Sequence, residues 1–214
     1  MSELFRDRSD AGRRLAERLE KYRSTDAVVL AIPLGGVPVA VEISCRLGLP
    51  LDFIILRKLP IPWNPEAGFG AVTSDGALVL NEAIVKGMGL SKKLIKSIAN
   101  RVMEDIQNRE HVLRDRIPKQ TVRGKQVIIV DDGLASGYTM LAAVQSARQS
   151  GAERVTVAVP VASESAMRLL GEAADEIICI VESHRLPFAV ADYYLTWHDL
   201  TDEEVMDYLS AAVN

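Results

Sequence analysis

Five short, almost uninterrupted apolar runs constrain this chain more than any other feature. They are Ala27-Val-Val-Leu-Ala-Ile-Pro33, Leu51-Asp-Phe-Ile-Ile-Leu56, Gln126-Val-Ile-Ile-Val130, Arg154-Val-Thr-Val-Ala-Val159 and Glu176-Ile-Ile-Cys-Ile-Val181. Runs of this length without polar alternation suit strands covered on both faces. Helical spacing fills the gaps at 37–47, 139–150 and 164–172, the second stopped by Gly151. Ser91 is placed to cap a longer helix running to about Arg116, with Ile95, Ile98, Val102, Ile106 and Leu113 on its inner stripe. Residues 4–22 read as an amphipathic helix through Leu15, Leu19 and Tyr22. Strands alternating with helices imply βαβ units and a mainly parallel sheet. The expectation is an α/β, doubly wound, five-stranded sheet with helices on both faces. Right-handed crossovers then put ligand loops at the carboxyl ends of the strands.

A chain of 214 residues fits a single domain, 1–214, with its core at about 27–182. Hydrophobic residues at 48% and charged residues at 25% argue against disorder. The formal charge of −4 argues against a nucleic-acid coat or an anionic-membrane binder. Two cysteines, Cys45 and Cys179, without a CxxC pair, argue against a disulfide framework or structural zinc. Three scattered histidines, His111, His184 and His198, do not make a metal site. No apolar run approaches the ~18–20 residues of a membrane span, and the first residues are charged rather than signal-like. A cytoplasmic protein is expected. Between 59 and 76, Pro60, Pro62, Pro65, Gly68, Gly70 and Gly76 predict a break in regular structure and a mobile loop. Within it, Asp75-Gly76 between Ala71-Val-Thr and Leu78-Val-Leu is a hairpin signal.

Unusual chemistry gathers at three strand ends: Leu34-Gly35-Gly36, Arg57-Lys58, and Asp131 to Thr139. The third is the most informative. An apolar strand delivers two adjacent carboxylates, which are costly to bury unless a cation or hydroxyls meet them. Gly133-Leu-Ala-Ser-Gly-Tyr-Thr139 follows and opens a helix. Successive backbone N–H groups at a helix start form an anion nest. Gly137 allows close approach, and Ser136 and Thr139 add hydroxyls. Carboxylates for a diol beside a nest for a phosphate describe a sugar-phosphate site. A nucleotide site of the Walker kind would need Gly-x4-Gly-Lys-Ser/Thr, and a nucleophile elbow would need Gly-x-Ser-x-Gly. Neither is present.

The segment Val127-Ile-Ile-Val-Asp-Asp-Gly-Leu-Ala-Ser-Gly-Tyr-Thr139 resembles the signature of type I phosphoribosyltransferases, which bind phosphoribosyl pyrophosphate. The resemblance implies that Asp131 and Asp132 face the ribose hydroxyls. Gly133, Leu134, Ala135, Ser136, Gly137, Tyr138 and Thr139 would then wrap the 5′-phosphate. It implies further that Leu34, Gly35 and Gly36 offer backbone amides to pyrophosphate, and that Arg57 and Lys58 offset its charge. Glu66, in Asn64-Pro65-Glu66, resembles a loop glutamate that some members place near the base. The tail after Glu182 resembles a hood: a small cap at about 183–214, joined by the N-terminal segment, with His184, Phe188, Ala189 and Val190 as acceptor contacts. Gly133 departs from the family, which usually has a branched apolar residue there; the departure is expected to loosen the turn without removing a ligand. Ala135 departs from 6-oxopurine enzymes, which carry an acid at that place. Phe5-Arg-Asp-Arg8, Arg57-Lys58-Leu59, Asn64-Pro-Glu66 and Val159-Pro-Val161 are similar to the group of members whose acceptor is unassigned.

The implied reaction is transfer of phosphoribose to a nitrogenous base. Mg2+ would be carried mainly by the donor, near Asp131 and Asp132, with no dedicated protein ligand set. The implied partners are the donor and a base, with no nucleic acid or membrane, and the chain is expected to form a homodimer. Two other readings fit the same residues: a non-catalytic sensor of the donor or a nucleotide, and a hydrolase or phosphorylase of ribosyl phosphates.

Overall fold

The computed structural model describes residues 4–114 and 117–212, without the side chains of 65, 66, 108, 109, 111–114, 211 and 212. His111 and Leu113 therefore lie outside the described side chains.

Each apolar run becomes a strand of one sheet: β1 (Val28–Ala31), β2 (Leu51–Phe53), and, after an antiparallel insertion of three further strands (β3, Leu56–Ile61; β4, Asn64–Thr73; β5, Leu78–Leu80), β6 (Gln126–Val130), β7 (Arg154–Ser163) and β8 (Glu176–Ser183). The order is β2-β1-β6-β7-β8, with every neighbouring pair parallel. The pleat divides the apolar side chains between two cores. Val29, Ala31, Ile128, Val130 and Ala158 pack on one side. They meet α1 (Arg8–Arg18), α2 (Gly36–Leu47) and α7 (Asp202–Ala212). Val28, Leu30, Val127, Ile129, Val155, Val157 and Val159 pack on the other. They meet α5 (Tyr138–Gln149) and α6 (Glu164–Leu170). Two-sided burial explains the uninterrupted runs, since a polar residue on either face would lose its water.

The N-terminal helix is shorter than its periodicity implied. Asp7 caps α1 by accepting from the Asp10 amide at 2.7 Å. Phe5 instead leaves the helix to bond the tail: its amide donates to Tyr193 O, and its carbonyl accepts from Leu195, each at 2.8 Å. Strand β7 outruns its apolar stretch by four residues and β8 by two, and the extension of β7 at Val161–Ser163 pairs with Val181–Ser183 at the end of β8.

The segment at 59–76 corrects the reading of prolines and glycines as breakers. The run at 51–56 divides at Phe53. From Leu56 the chain builds β3 (Leu56–Ile61), β4 (Asn64–Thr73) and β5 (Leu78–Leu80), an antiparallel sheet in the order β3-β4-β5. Pro60 sits where the β3–β4 register shifts, a position that tolerates a missing N–H. Gly70 is required by close packing: a Cβ there would lie 2.3 Å from Val79 O. Leu59, Phe69 and Ala71 are fully buried. They hold the small sheet against α5 and α4 (Lys92–Arg114), whose Ser91 cap accepts from the Leu94 amide at 3.2 Å. The Asp75-Gly76 turn between β4 and β5 forms where the sequence places it.

Gly70→Ala is expected to force β5 away from β4 and to lower the thermal midpoint by several degrees, since ~2–4 °C accompanies each kcal/mol lost in a domain this size. An unchanged midpoint would mean that the β4–β5 pairing is not that tight.

Candidate functional site

Strands β1 and β6 run side by side but the chain leaves them in opposite directions, β1 toward β2 and β6 toward β7. Such a switch point opens a crevice at the carboxyl ends. The two strands end level: Ala31 pairs with Val130, and the Ile32 amide donates to Val130 O at 2.9 Å. Pro33-Leu34-Gly35-Gly36 and Asp131-Asp132 therefore emerge together. The Pro33–Leu34 peptide is cis. A Cβ on Gly35 would lie 2.1 Å from Asp132 Oδ2, and one on Gly36 would lie 2.6 Å from Val130 O. Gly35 is demanded by the contact of its loop with the Asp132 side chain and Gly36 by the backbone at the end of β6, and together they bring the α2 N-terminus up to the crevice.

The acid pair sits half-buried at the head of this crevice. Burial pushes the Asp131 carboxyl well above the usual carboxylate range, and the neighbouring Asp132 pushes it further. Burial also raises Asp132, against the pull of Arg8. Arg8 Nε donates to Asp132 Oδ2 at 2.8 Å, and both side chains are largely enclosed. The Tyr194 hydroxyl donates to the Asp132 carbonyl at 2.6 Å, and burial drives that phenol up. A cleft of about 330 Å3 opens here, lined by Arg8, Leu34, Gly35, Asp132, Trp197 and Asp199 among others.

The loop beyond the acids is held from beneath. The Leu134 amide donates to Val161 O, and its carbonyl accepts from the Ser163 amide, each at 2.9 Å. Ser163 Oγ donates to Ala135 O at 2.5 Å. Gly137 has φ +79, and a Cβ there would lie 3.2 Å from Ala166. Ala135 and Ser136 are left exposed at the start of α5, with Tyr138 and Thr139 in its first turn. The first N–H groups of a helix lack intrahelical partners, so the loop can receive an anion.

Several expected residues stand elsewhere. Gly133 does not merely loosen the turn. A Cβ there would lie 2.6 Å from Val190 Cγ1 and 3.0 Å from Val161 Cγ1, so the tail fills the space that a branched residue would occupy. Arg57 and Lys58 do not end a strand of the main sheet; they are exposed within β3, opposite Val72 and Ala71. His184 is exposed beyond β8, its Nδ1 3.1 Å from Glu164 Oε2, and does not line the cleft. Phe188 packs on Tyr193 with ring centroids 5.7 Å apart, while Ala189 is exposed. The Glu66 side chain lies outside the described residues.

Arg8, Tyr194, Trp197 and Asp199 were missed as site residues. Arg8 ends the Phe5-Arg-Asp-Arg8 motif, but one charge among many arginines near the N-terminus gives no sign of its burial. Among the described residues, no group of three or more His, Cys, Asp or Glu could hold a metal ion. The acid pair does offer hard oxygen donors, and Arg8 balances one of two potential negative charges.

Residues 73–193 match the family model described as "Phosphoribosyl transferase domain". Over 212 residues the chain is 40% identical to the Mycobacterium tuberculosis protein named "Putative phosphoribosyl transferase Rv0571c", a match covering 98% of this chain and 47% of that one. The chain thus spans about half the length of the curated relatives it matches. The crystal structure of TT1426 from Thermus thermophilus is similar with a TM-score of 0.80 and 39% identity, covering 96% of this chain and 97% of that one. A Neisseria gonorrhoeae protein with bound ppGpp shares the fold at a TM-score of 0.51 and 16% identity, covering 99% of this chain and 98% of that one.

The acid pair has a cost in stability with a definite sign. A carboxyl whose folded pKa is raised keeps its proton while the unfolded chain has already released it. Stability therefore falls as pH rises from about 4 toward the folded value, and the penalty persists above it. Asp131→Asn is expected to raise the thermal midpoint at pH 7 by a few degrees, with the gain shrinking toward pH 4. A lower midpoint at pH 7 would refute the sign.

Proposed function

This chain belongs to the phosphoribosyltransferase family, and on that premise we propose that it transfers phosphoribose from phosphoribosyl pyrophosphate to a nitrogenous base. The observation that carries the reading is the meeting, at one switch point, of a half-buried acid pair, an amide-rich loop at a helix start and a glycine loop at a second helix start. Asp131 and Asp132 accept hydrogen bonds from the ribose hydroxyls. The amides of 135–139, with the Ser136 and Thr139 hydroxyls, hold the 5′-phosphate. The amides of Leu34 and Gly35, at the positive end of the α2 dipole, meet pyrophosphate, while the Gly36 amide, expected to join them, donates instead to Ile32 O at 3.0 Å.

In the reaction, the C1–O bond to pyrophosphate breaks and its electron pair departs with the leaving group. The lone pair of the base nitrogen forms the new C1–N bond on the opposite face. The chain's contribution is orientation and electrostatic stabilisation. We assign Arg57 and Lys58, carried on the antiparallel insertion, to the charge of the leaving group, and the same insertion to exclusion of water. Glu66, His184, Phe188, Ala189 and Val190 are assigned to the side that faces the base. Asp131 and Asp132 fit a Mg2+ brought in with the donor, because this ion takes one or two carboxylates and completes its shell with phosphate and water. When bound, it supplies positive charge for the departing pyrophosphate. The reading also takes the chain to be a cytoplasmic homodimer. No helix among the described residues is long and apolar enough to cross a membrane.

Pyrophosphate release, measured with the donor, Mg2+ and a panel of bases, tests the function. Release that depends on one base supports transfer. Release without any base would make the chain a hydrolase, and binding without turnover would make it a sensor. Asp131→Asn combined with Asp132→Asn is expected to abolish donor binding in calorimetry with the fold intact, and retained affinity would remove the ribose role. Lys58→Ala is expected to weaken pyrophosphate binding more than ribose 5-phosphate binding and to slow turnover about 10²-fold if the contact acts mainly in the transition state. Equal losses for the two ligands would detach Lys58 from the leaving group.

A further inference from the structure

Arg8 is held in three directions at once. Its Nε donates to Asp132 Oδ2 at 2.8 Å, its Nη1 donates to the His198 carbonyl at 3.0 Å, and its guanidinium lies 3.8 Å from the centre of the Trp197 ring. Trp197 in turn packs on Tyr194 at 5.0 Å, and the Tyr194 hydroxyl returns to the Asp132 carbonyl at 2.6 Å. The result is a closed circuit around one acid: side chain gripped by α1, backbone gripped by the tail.

A cation that only balanced a buried charge would need none of the other contacts. A planar guanidinium with its donors in a fixed fork does more than balance charge, because it dictates where its partner's oxygens point. Oδ2 of Asp132 is committed to Arg8, so the plane of the carboxylate, and with it Oδ1, is held in one orientation. We propose that Arg8 is a positioning residue: by fixing the Asp132 carboxylate it makes the site select a sugar phosphate with a complete ribose diol over its 2-deoxy counterpart. This inference rests on the sugar-phosphate reading of the crevice and adds to it the residue that sets sugar selectivity.

Calorimetry on the full chain with ribose 5-phosphate and with 2-deoxyribose 5-phosphate tests it, using wild type, Arg8→Gln, Arg8→Lys and Trp197→Leu. The wild type is expected to prefer the ribose compound by about 10- to 100-fold, the range for one hydrogen bond to a charged group. In Arg8→Gln that preference is expected to collapse to a few-fold, through loss of ribose 5-phosphate affinity with the deoxy compound little changed. Arg8→Lys keeps the charge but not the fork, and is expected to lose most of the preference. Trp197→Leu, which loosens Arg8 and Tyr194 but removes no bond to Asp132, is expected to fall between. Equal weakening of both ligands, or an undiminished preference in Arg8→Lys, would overturn the positioning role and leave the sugar-phosphate site standing. A wild type that binds both compounds alike would likewise overturn the selectivity, whereas one that binds neither would remove the site reading itself. Thermal melts identify any variant that fails to fold; if Arg8→Gln does, the ratio in Arg8→Lys decides.

Discussion

Two half-buried carboxylates held side by side are the constraint around which this molecule is organised. Adjacent acids at the end of a central strand repel each other and have lost part of their water. The surroundings answer that cost from several parts of the chain. Arg8 brings a cation from the N-terminal helix, Tyr194 takes the neighbouring carbonyl, and Gly35 lets a second loop lie against Asp132. These residues are far apart in sequence and share little beyond their relation to the pair. Such an expensive arrangement serves poorly as a scaffold, but it suits a ligand rich in hydroxyls and accompanied by positive charge.

The central sheet was legible because its signal is local. Residues such as Val127 to Val130 are apolar on both faces of the pleat, and nothing but a doubly covered strand accounts for that pattern. The acid pair and its loop were legible for a related reason: strand, acids, small residues and helix follow one another without interruption. The antiparallel insertion was not. Gly70 looks like a breaker in one dimension, yet it is the residue that lets the β5 backbone approach, and Pro60 occupies a register shift that no local rule reveals. Arg57 and Lys58 changed their setting for the same reason, since the division of the run at Phe53 depends on partners as distant as Val72 and Thr73.

Arg8 illustrates the harder limit. Its importance comes from burial against Asp132, 124 positions away, and from a tryptophan face near the other end of the chain. Neither partner is visible from the N-terminal segment alone. The tail was read for base contacts, while the structure shows residues 193–197 also closing the enclosure around the acids, bonded to Phe5 and Arg6 along their backbones. Tail and acid pair are therefore one mechanical unit, and a substitution in residues 193–197 would be felt at Asp132.

Gly133 and Val190 show what that unity implies across relatives. The volume absent from one residue is supplied by the other, from a segment 57 positions later. Neither position can drift alone: a branched side chain at 133 would evict the valine, and a smaller residue at 190 would leave a hole under the loop. Homologues should therefore exchange bulk between these two places as a correlated pair, and tails transplanted between members should fail unless the partner position travels with them.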